Sequence, residues 1–153
     1  MTGPDVVPAN AHASSSHEQR AAETVMLELA GPLLGGATLR PARIDLGGGR
    51  YVLVDGLSLD PLVVVEAYAR RGAMSGAQPR KVACDVLKLV TVQRLVHPRA
   101  RLAIVLNDPV VAAQISGGWL GTAAQQWAVE ILVVDLPVHV NAGISAAQAR
   151  QTR

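Results

Sequence analysis

Apolar positions recur along this chain in two rhythms. From Glu18 to Leu34 they come at helical spacing. Val25, Leu29 and Pro32-Leu33 mark one stripe, Ala21, Ala22 and Met26 lie beside it, and Gly35-Gly36 supplies the stop. Then the period shortens. Thr38 to Leu46 reads as a strand interrupted by Pro41, which has no amide to give a ladder and so belongs at a sheet edge or in a broken strand. Gly47-Gly48-Gly49 makes a hairpin turn into a second strand, Tyr51 to Leu59, and Asp60-Pro61 turns into a third, Leu62 to Tyr68. The run Val63-Val64-Val65 has no polar alternate, as expected of a central strand covered on both faces.

Beyond a loop at Gly72 to Pro79 the helical rhythm returns from Arg80 to Val96, with apolar residues at 82, 86, 89, 90 and 92, until His97-Pro98. Leu102 to Leu106 is a fourth strand. Asp108-Pro109 has the form of an N-cap followed by proline in the first turn, opening a helical region that runs to about Trp127 with a break at Gly117-Gly118. Val129 to Asp135 is the fifth strand. The predicted order is α-β-β-β-α-β-α-β, an α/β fold whose mixed five-stranded sheet is antiparallel in its first half and parallel in its second, flanked by helices. Residues 1–17, with Pro4, Pro8 and three consecutive serines, read as a disordered tail in which His12 and His17 carry no chemistry. Residues 18–140 form one domain, and 141–153 a C-terminal tail with a short frayed helix.

Composition narrows the function. Of 153 residues, half are apolar and only 3% aromatic, with no Phe, so the core is built from Val, Leu, Ile and Ala. Trp119 and Trp127 are expected in the core or at an interface, and Cys84, among apolar helix residues, in the core. One cysteine can build neither a disulfide framework nor a zinc cluster, and a reducing cytoplasm is the natural setting. No run approaches the roughly 18 apolar residues of a membrane span. A net charge of +2 excludes an extreme polybasic binder but leaves room for a local phosphate-binding patch, and Arg70, Arg71, Arg80 and Lys81 lie in a stretch without one acid. The triple glycine is no phosphate loop, since neither a helix nor Gly-Lys-Ser/Thr follows it.

Strand alternation then picks out a pair of acids. Tyr51, Leu53 and Asp55 share one face of the second strand, and Leu62, Val64, Glu66 and Tyr68 one face of the third, so Asp55 and Glu66 are expected side by side. A carboxylate inside Val-Val-Val-Glu-Ala-Tyr is costly to bury alone and needs a cation, a donor or a metal. Two carboxylates with water suit magnesium or manganese. Plainer readings stand beside this one. Asp55 before Gly56 is also a turn signal, Glu66 could pair with an arginine or Lys81, and Lys81, Asp85 and Lys88 fit one solvated helix face with intrahelical pairs.

The order of elements, with Asp55 late in one strand and Glu66 in the next, resembles the PD-(D/E)XK superfamily of restriction-endonuclease-like proteins. Val54-Asp55-Gly56, Val65-Glu66-Ala67-Tyr68-Ala69, Gln78, Lys81-Val82, Asp85 and Lys88-Leu89 are similar to an uncharacterised bacterial group within it, over about residues 20–137. The resemblance implies a metal-dependent phosphodiester hydrolase acting on DNA or RNA. Asp55 and Glu66 would be the ligands of Mg2+, with Mn2+ as a substitute. Family members carry a lysine two residues after the second acid. Here that position is Tyr68, with an ordinary pKa near 10 and no positive charge. Lys81, at the start of the following helix, is the candidate replacement. Gln78, Arg70, Arg71 and Arg80 would contact substrate, and Glu28 or Glu23 would supply a first-helix acid. The alternative is a catalytically inactive protein of the same fold, serving as a nucleic-acid-binding or protein-interaction module. A homodimer fits either reading.

Overall fold

The computed structural model describes residues 9–151, with side chains from residue 17 onward. The elements are α1 (Ala9–Ala30), a 3-10 turn (Gly31–Leu34), β1 (Arg40–Gly47), β2 (Arg50–Leu59), β3 (Leu62–Tyr68), α2 (Gln78–Leu95), β4 (Arg101–Leu106), α3 (Pro109–Ser116), α4 (Trp119–Gln126), β5 (Val129–Val133) and α5 (Val138–Gln151). The sheet order is β1-β2-β3-β4-β5. β1, β2 and β3 pair antiparallel, and β3, β4 and β5 parallel. The mixed sheet of the sequence reading is therefore present. Among the described residues no helix is long and apolar enough to cross a membrane.

Two apolar layers sandwich the sheet. On one face Val64, Tyr68, Leu102, Ile104 and Leu106 meet α2, α3 and α4. On the other, Val63, Val65, Ala67, Ala103 and Val105 meet α1 and α5. Alternation along β3 and β4 sorts the side chains by size. Larger residues from β4 face α2, while Ala67 and Ala103 face α1, where small residues let a helix approach closely.

Several boundaries differ from the sequence reading. Helix α1 begins at Ala9 rather than Glu18, so the expected disordered tail is helical over 9–17, and residues 1–8 lie outside the described region. The predicted C-terminal tail is a 14-residue helix whose Ile144 and Ala147 are buried. It lies against α1, with an ion pair from Arg150 Nη2 to Glu18 Oε2 at 2.6 Å. Each terminal helix gives the other the surface that an isolated terminal helix lacks. The buried stripe of α1 is also rotated. Ala22, Met26, Leu27 and Ala30 face the sheet, whereas Leu29 and Leu33 are exposed. Cys84 is exposed, not core. Trp119 and Trp127 are exposed as well, at the two ends of α4, where they line an open groove against α2 and Arg94 of α2 stacks 4.7 Å from the Trp127 ring. At the other end of the chain's second half the expectation is met. The Asp108 carboxylate accepts the Val110 amide at 2.9 Å and caps α3, with Pro109 in the first turn.

Candidate active site

The site begins with an irregularity in β2. Arg40 of β1 faces Leu57 and Ala42 faces Val54, so three steps along β2 match two along β1. This bulge falls at Asp55-Gly56. Before it, Val52 and Val54 pack toward α2, while Tyr51 and Leu53 are exposed on the opposite face. Uninterrupted alternation from Tyr51 would have put Asp55 with those exposed residues, away from α2. The extra residue turns it back. Glycine at 56 makes the bend sterically feasible, because a Cβ there would lie 2.7 Å from Val65 Cγ2 and 3.2 Å from Leu27 Cδ2. Tyr51 and Leu53 are thus not companions of Asp55 on one face, as plain alternation had suggested.

Past the bulge β2 pairs with β3 from Gly56 opposite Val65 onward. One further step in that register puts Asp55 across from Glu66. The carboxyl groups of the two acids are within hydrogen-bonding reach of each other. Asp55 Oδ2 also accepts the backbone amide of Ala67 at 2.8 Å. Asp55 thereby satisfies an amide just where β2 departs from β3.

Glu66 is 3% exposed. Its carboxyl is pushed up to about 8, first by burial and then by Asp55, against the pull of Lys88. Lys88 Nζ donates to Glu66 Oε1 at 2.9 Å and to the Leu53 carbonyl at 3.0 Å. From the other layer Glu23 of α1 feels Asp55, and burial followed by that charge raises it to about 7. Lys81 Nζ pairs with Asp85 at 3.1 Å, as intrahelical spacing suggested, and its ammonium lies 5.6 Å from the Tyr68 ring centroid. Burial works against charge on Lys81, yet Asp85, Asp55 and Glu66 together raise its pKa and hold it protonated.

Of the residues singled out in the sequence, Asp55, Glu66, Lys81 and Tyr68 come together. Tyr68 is buried and its hydroxyl has no hydrogen-bond partner among the described residues. Burial raises its pKa further, which makes it still less suited to act as a base. Glu28 is exposed on the outside of α1 and does not reach the cluster. The first-helix acid is Glu23. Gln78 serves its own turn, accepting the Ser75 amide at 3.1 Å. Arg70 carries its charge near Tyr68, and Arg71 near Asp108, while Arg80 is exposed at the start of α2. Among the described residues no hydrogen bond or ion pair joins these arginines or Gln78 to Asp55 or Glu66.

The structure revises the solvated helix face expected for Lys81, Asp85 and Lys88, of which only Lys81 is exposed. Asp85 is buried and Lys88 half-buried against Glu66. The signal was present in the sequence. Positions 81, 85 and 88 lie on one side of α2 beside the stripe 82, 86 and 89, so they border the core.

Among the described residues no three His, Cys, Asp or Glu side chains converge as a metal-binding set. Two adjoining carboxylates still fit a hard divalent cation that completes its shell with water and substrate oxygens, the usual habit of magnesium. Glu66 of that pair and Glu23 are both raised toward neutrality by burial and by the charge of Asp55, and Glu23 flanks the pair with further carboxylate oxygens. No protein-family model, curated protein or solved structure matches the chain.

Proposed function

We propose that this protein is a magnesium-dependent phosphodiester hydrolase of the restriction-endonuclease-like type, acting on DNA or RNA in a reducing cytoplasm. The observation that carries the reading is the meeting of Asp55 and Glu66 across the β2 bulge, beside a protonated lysine. Asp55 and Glu66 would hold the Mg2+ (or Mn2+), which supplies Lewis-acid polarisation of the phosphoryl group and a more acidic water.

The chain's own residues account for the rest. Lys81, kept protonated by its carboxylate neighbours, stabilises negative charge developing on phosphate oxygens, the role left vacant by Tyr68. Asp85 steadies the Lys81 ammonium through their 3.1 Å bond. Glu23, poised near neutrality, accepts or returns a proton at the mouth of the cluster. Arg70, Arg71 and Arg80, grouped around the end of β3 and the start of α2, offer charge to the flanking phosphates of a strand, with Gln78 beside them.

The experiment is cleavage of single- and double-stranded DNA and RNA with magnesium or manganese, comparing the native chain with Glu66→Ala and Asp55→Asn. Loss of cleavage in both variants supports the reading. Equal cleavage by Glu66→Ala and the native chain rejects it.

One observation favours the second reading, a catalytically inactive binding module. Lys88 already gives Glu66 a cation at 2.9 Å. A native chain that binds nucleic acid in a mobility-shift assay, cleaves nothing with either metal and loses binding on Arg70→Ala or Arg71→Ala would establish that module instead.

A further inference from the structure

The two edges of the sheet are unlike. β1 carries the features that keep another strand away. Pro41 has no amide hydrogen, Arg40, Arg43 and Asp45 are exposed charges, and two register shifts bend the strand. β5, Val129-Glu130-Ile131-Leu132-Val133, has none of these. It holds no proline and no basic residue. Its single charge, Glu130, is already neutralised by Arg101 of β4 through two hydrogen bonds, Arg101 Nη2 lying 2.8 Å from Oε1. Val133 at its end is 37% exposed. Among the described residues β4 is the only strand paired with β5.

The phase of the backbone shows which groups are left over. The Val134 amide donates to Leu106 O of β4 at 2.8 Å. Backbone direction alternates with period two, so Glu130, Leu132 and Val134 turn their N–H and C=O groups toward β4. Val129, Ile131 and Val133 turn theirs to the open edge.

We propose that β5 pairs antiparallel with β5 of a second copy of this chain, about a two-fold axis at Ile131, joining two sheets into one. Under that symmetry Ile131 faces its own counterpart, and Val129 faces Val133 of the other copy, all through outward-directed backbone groups. Glu130 then faces Leu132, so no like charges oppose. The neighbouring two-fold register on one side would set Glu130 against Glu130. That on the other side would set Val129 against Asp135. Either gives up part of the hydrogen bonding, and the first adds repulsion. The blunted β1 edge stops further strand addition, so the assembly closes as a dimer and does not extend into a filament.

The test uses the full chain. Sedimentation velocity over a wide micromolar range is combined with amide hydrogen exchange. A dimer is expected, with the Ile131 and Val133 amides as protected as that of Leu132. Val133→Pro removes an amide hydrogen aimed at the open edge while sparing the ladder to β4, and should give a monomer with an unchanged far-ultraviolet spectrum. Val133→Lys, which keeps the amide but adds charge at the edge, should weaken the dimer too. A native chain that is monomeric throughout overturns the proposal. So does a dimer in which the Ile131 and Val133 amides exchange freely while Leu132 stays protected, since that dimer uses another surface.

Discussion

Replacing Glu66 with glutamine should flatten the dependence of stability on pH between about pH 5 and about pH 8. In the folded chain the Glu66 carboxyl is raised from 4.5 to about 8, with burial the main cause and Asp55 the second. Between those two values the folded state holds a proton that the unfolded state releases. Unfolding then lets a proton go, so raising the pH favours unfolding, and stability falls as pH rises through this window. One proton corresponds to about 1.4 kcal/mol for each pH unit, hence on the order of 3 kcal/mol between about pH 5 and about pH 7. That is a large part of the margin of an ordinary domain. Glutamine matches the neutral form in shape, still accepts from Lys88 and can still donate toward Asp55, so the fold should survive while the titration disappears.

Urea denaturation at a series of pH values measures this directly, with the midpoint and slope read separately. The native chain should lose stability across the window, and Glu66→Gln should lose about one proton's worth less. A residual slope of the same sign is expected from Glu23, raised to about 7 by burial and Asp55. Glu23 is only half-buried, so solvent reduces its share, and Glu23→Gln in the Glu66→Gln background should remove what is left. Parallel pH profiles for the native chain and Glu66→Gln would refute the reasoning, as would native stability that rises over the same range.

Three more outcomes follow from the geometry. Gly56→Ala puts a methyl 2.7 Å from Val65 Cγ2 and 3.1 Å from Leu39 Cβ, so thermal denaturation should show a loss of about 1–3 kcal/mol, typical of overpacking. Asp108→Ala strips the acceptor from the Val110 amide at 2.9 Å and the Gly72 amide at 2.7 Å, which should cost about 1–2 kcal/mol near neutral pH and speed amide exchange at Gly72. Burial pushes the Asp108 carboxyl up, but those two amides and Arg71 outweigh it and hold the pKa below its ordinary value. The Asp108 contribution is therefore complete above the ordinary carboxylate range and lost as pH falls through the lowered value, and the alanine variant should lack that acid limb in urea titrations. Under the hydrolase reading, magnesium should raise the melting temperature more at about pH 8 than at about pH 6, because protons and the ion compete for the same carboxylates.

The strands were legible because their boundaries rest on local chemistry. Pro41 marked an edge, Asp60-Pro61 a turn, and Val63-Val64-Val65 a strand covered twice, and β1, β2 and β3 lie where those signals put them. Asp108-Pro109 announced the start of α3 for the same reason, since a cap is a matter of adjacent residues. The terminal helices were harder. Their stability comes from lying on each other, through contacts such as Glu18 with Arg150, 132 positions apart, which no local window contains. The same holds for Leu29 and Leu33. Spacing alone does not say which of two neighbouring stripes of a helix faces the sheet, and the small residues Ala22 and Ala30 won the place where α1 comes close.

At the site, sequence and structure part over one residue. Period-two alternation from Tyr51 reaches Asp55 on Tyr51's own face, and alternation from Leu62 reaches Glu66 on the α2 face. The two acids meet only because β2 carries an extra residue between Val54 and Leu57. The bulge leaves no mark in the sequence except Gly56, and that glycine also reads as half of an Asp-Gly turn. The two meanings predict different behaviour. A turn glycine needs unusual backbone angles, yet Gly56 is not among the glycines of positive φ. It needs room, since Val65, Leu39 and Leu27 all press on the space a side chain would take. The tight packing that holds the bulge also holds Asp55 against the Ala67 amide and Glu66. Asp55 therefore owes its position to Gly56 more than to strand alternation, and the carboxylate pair stands or falls with the close approach that Gly56 allows to Val65, Leu39 and Leu27.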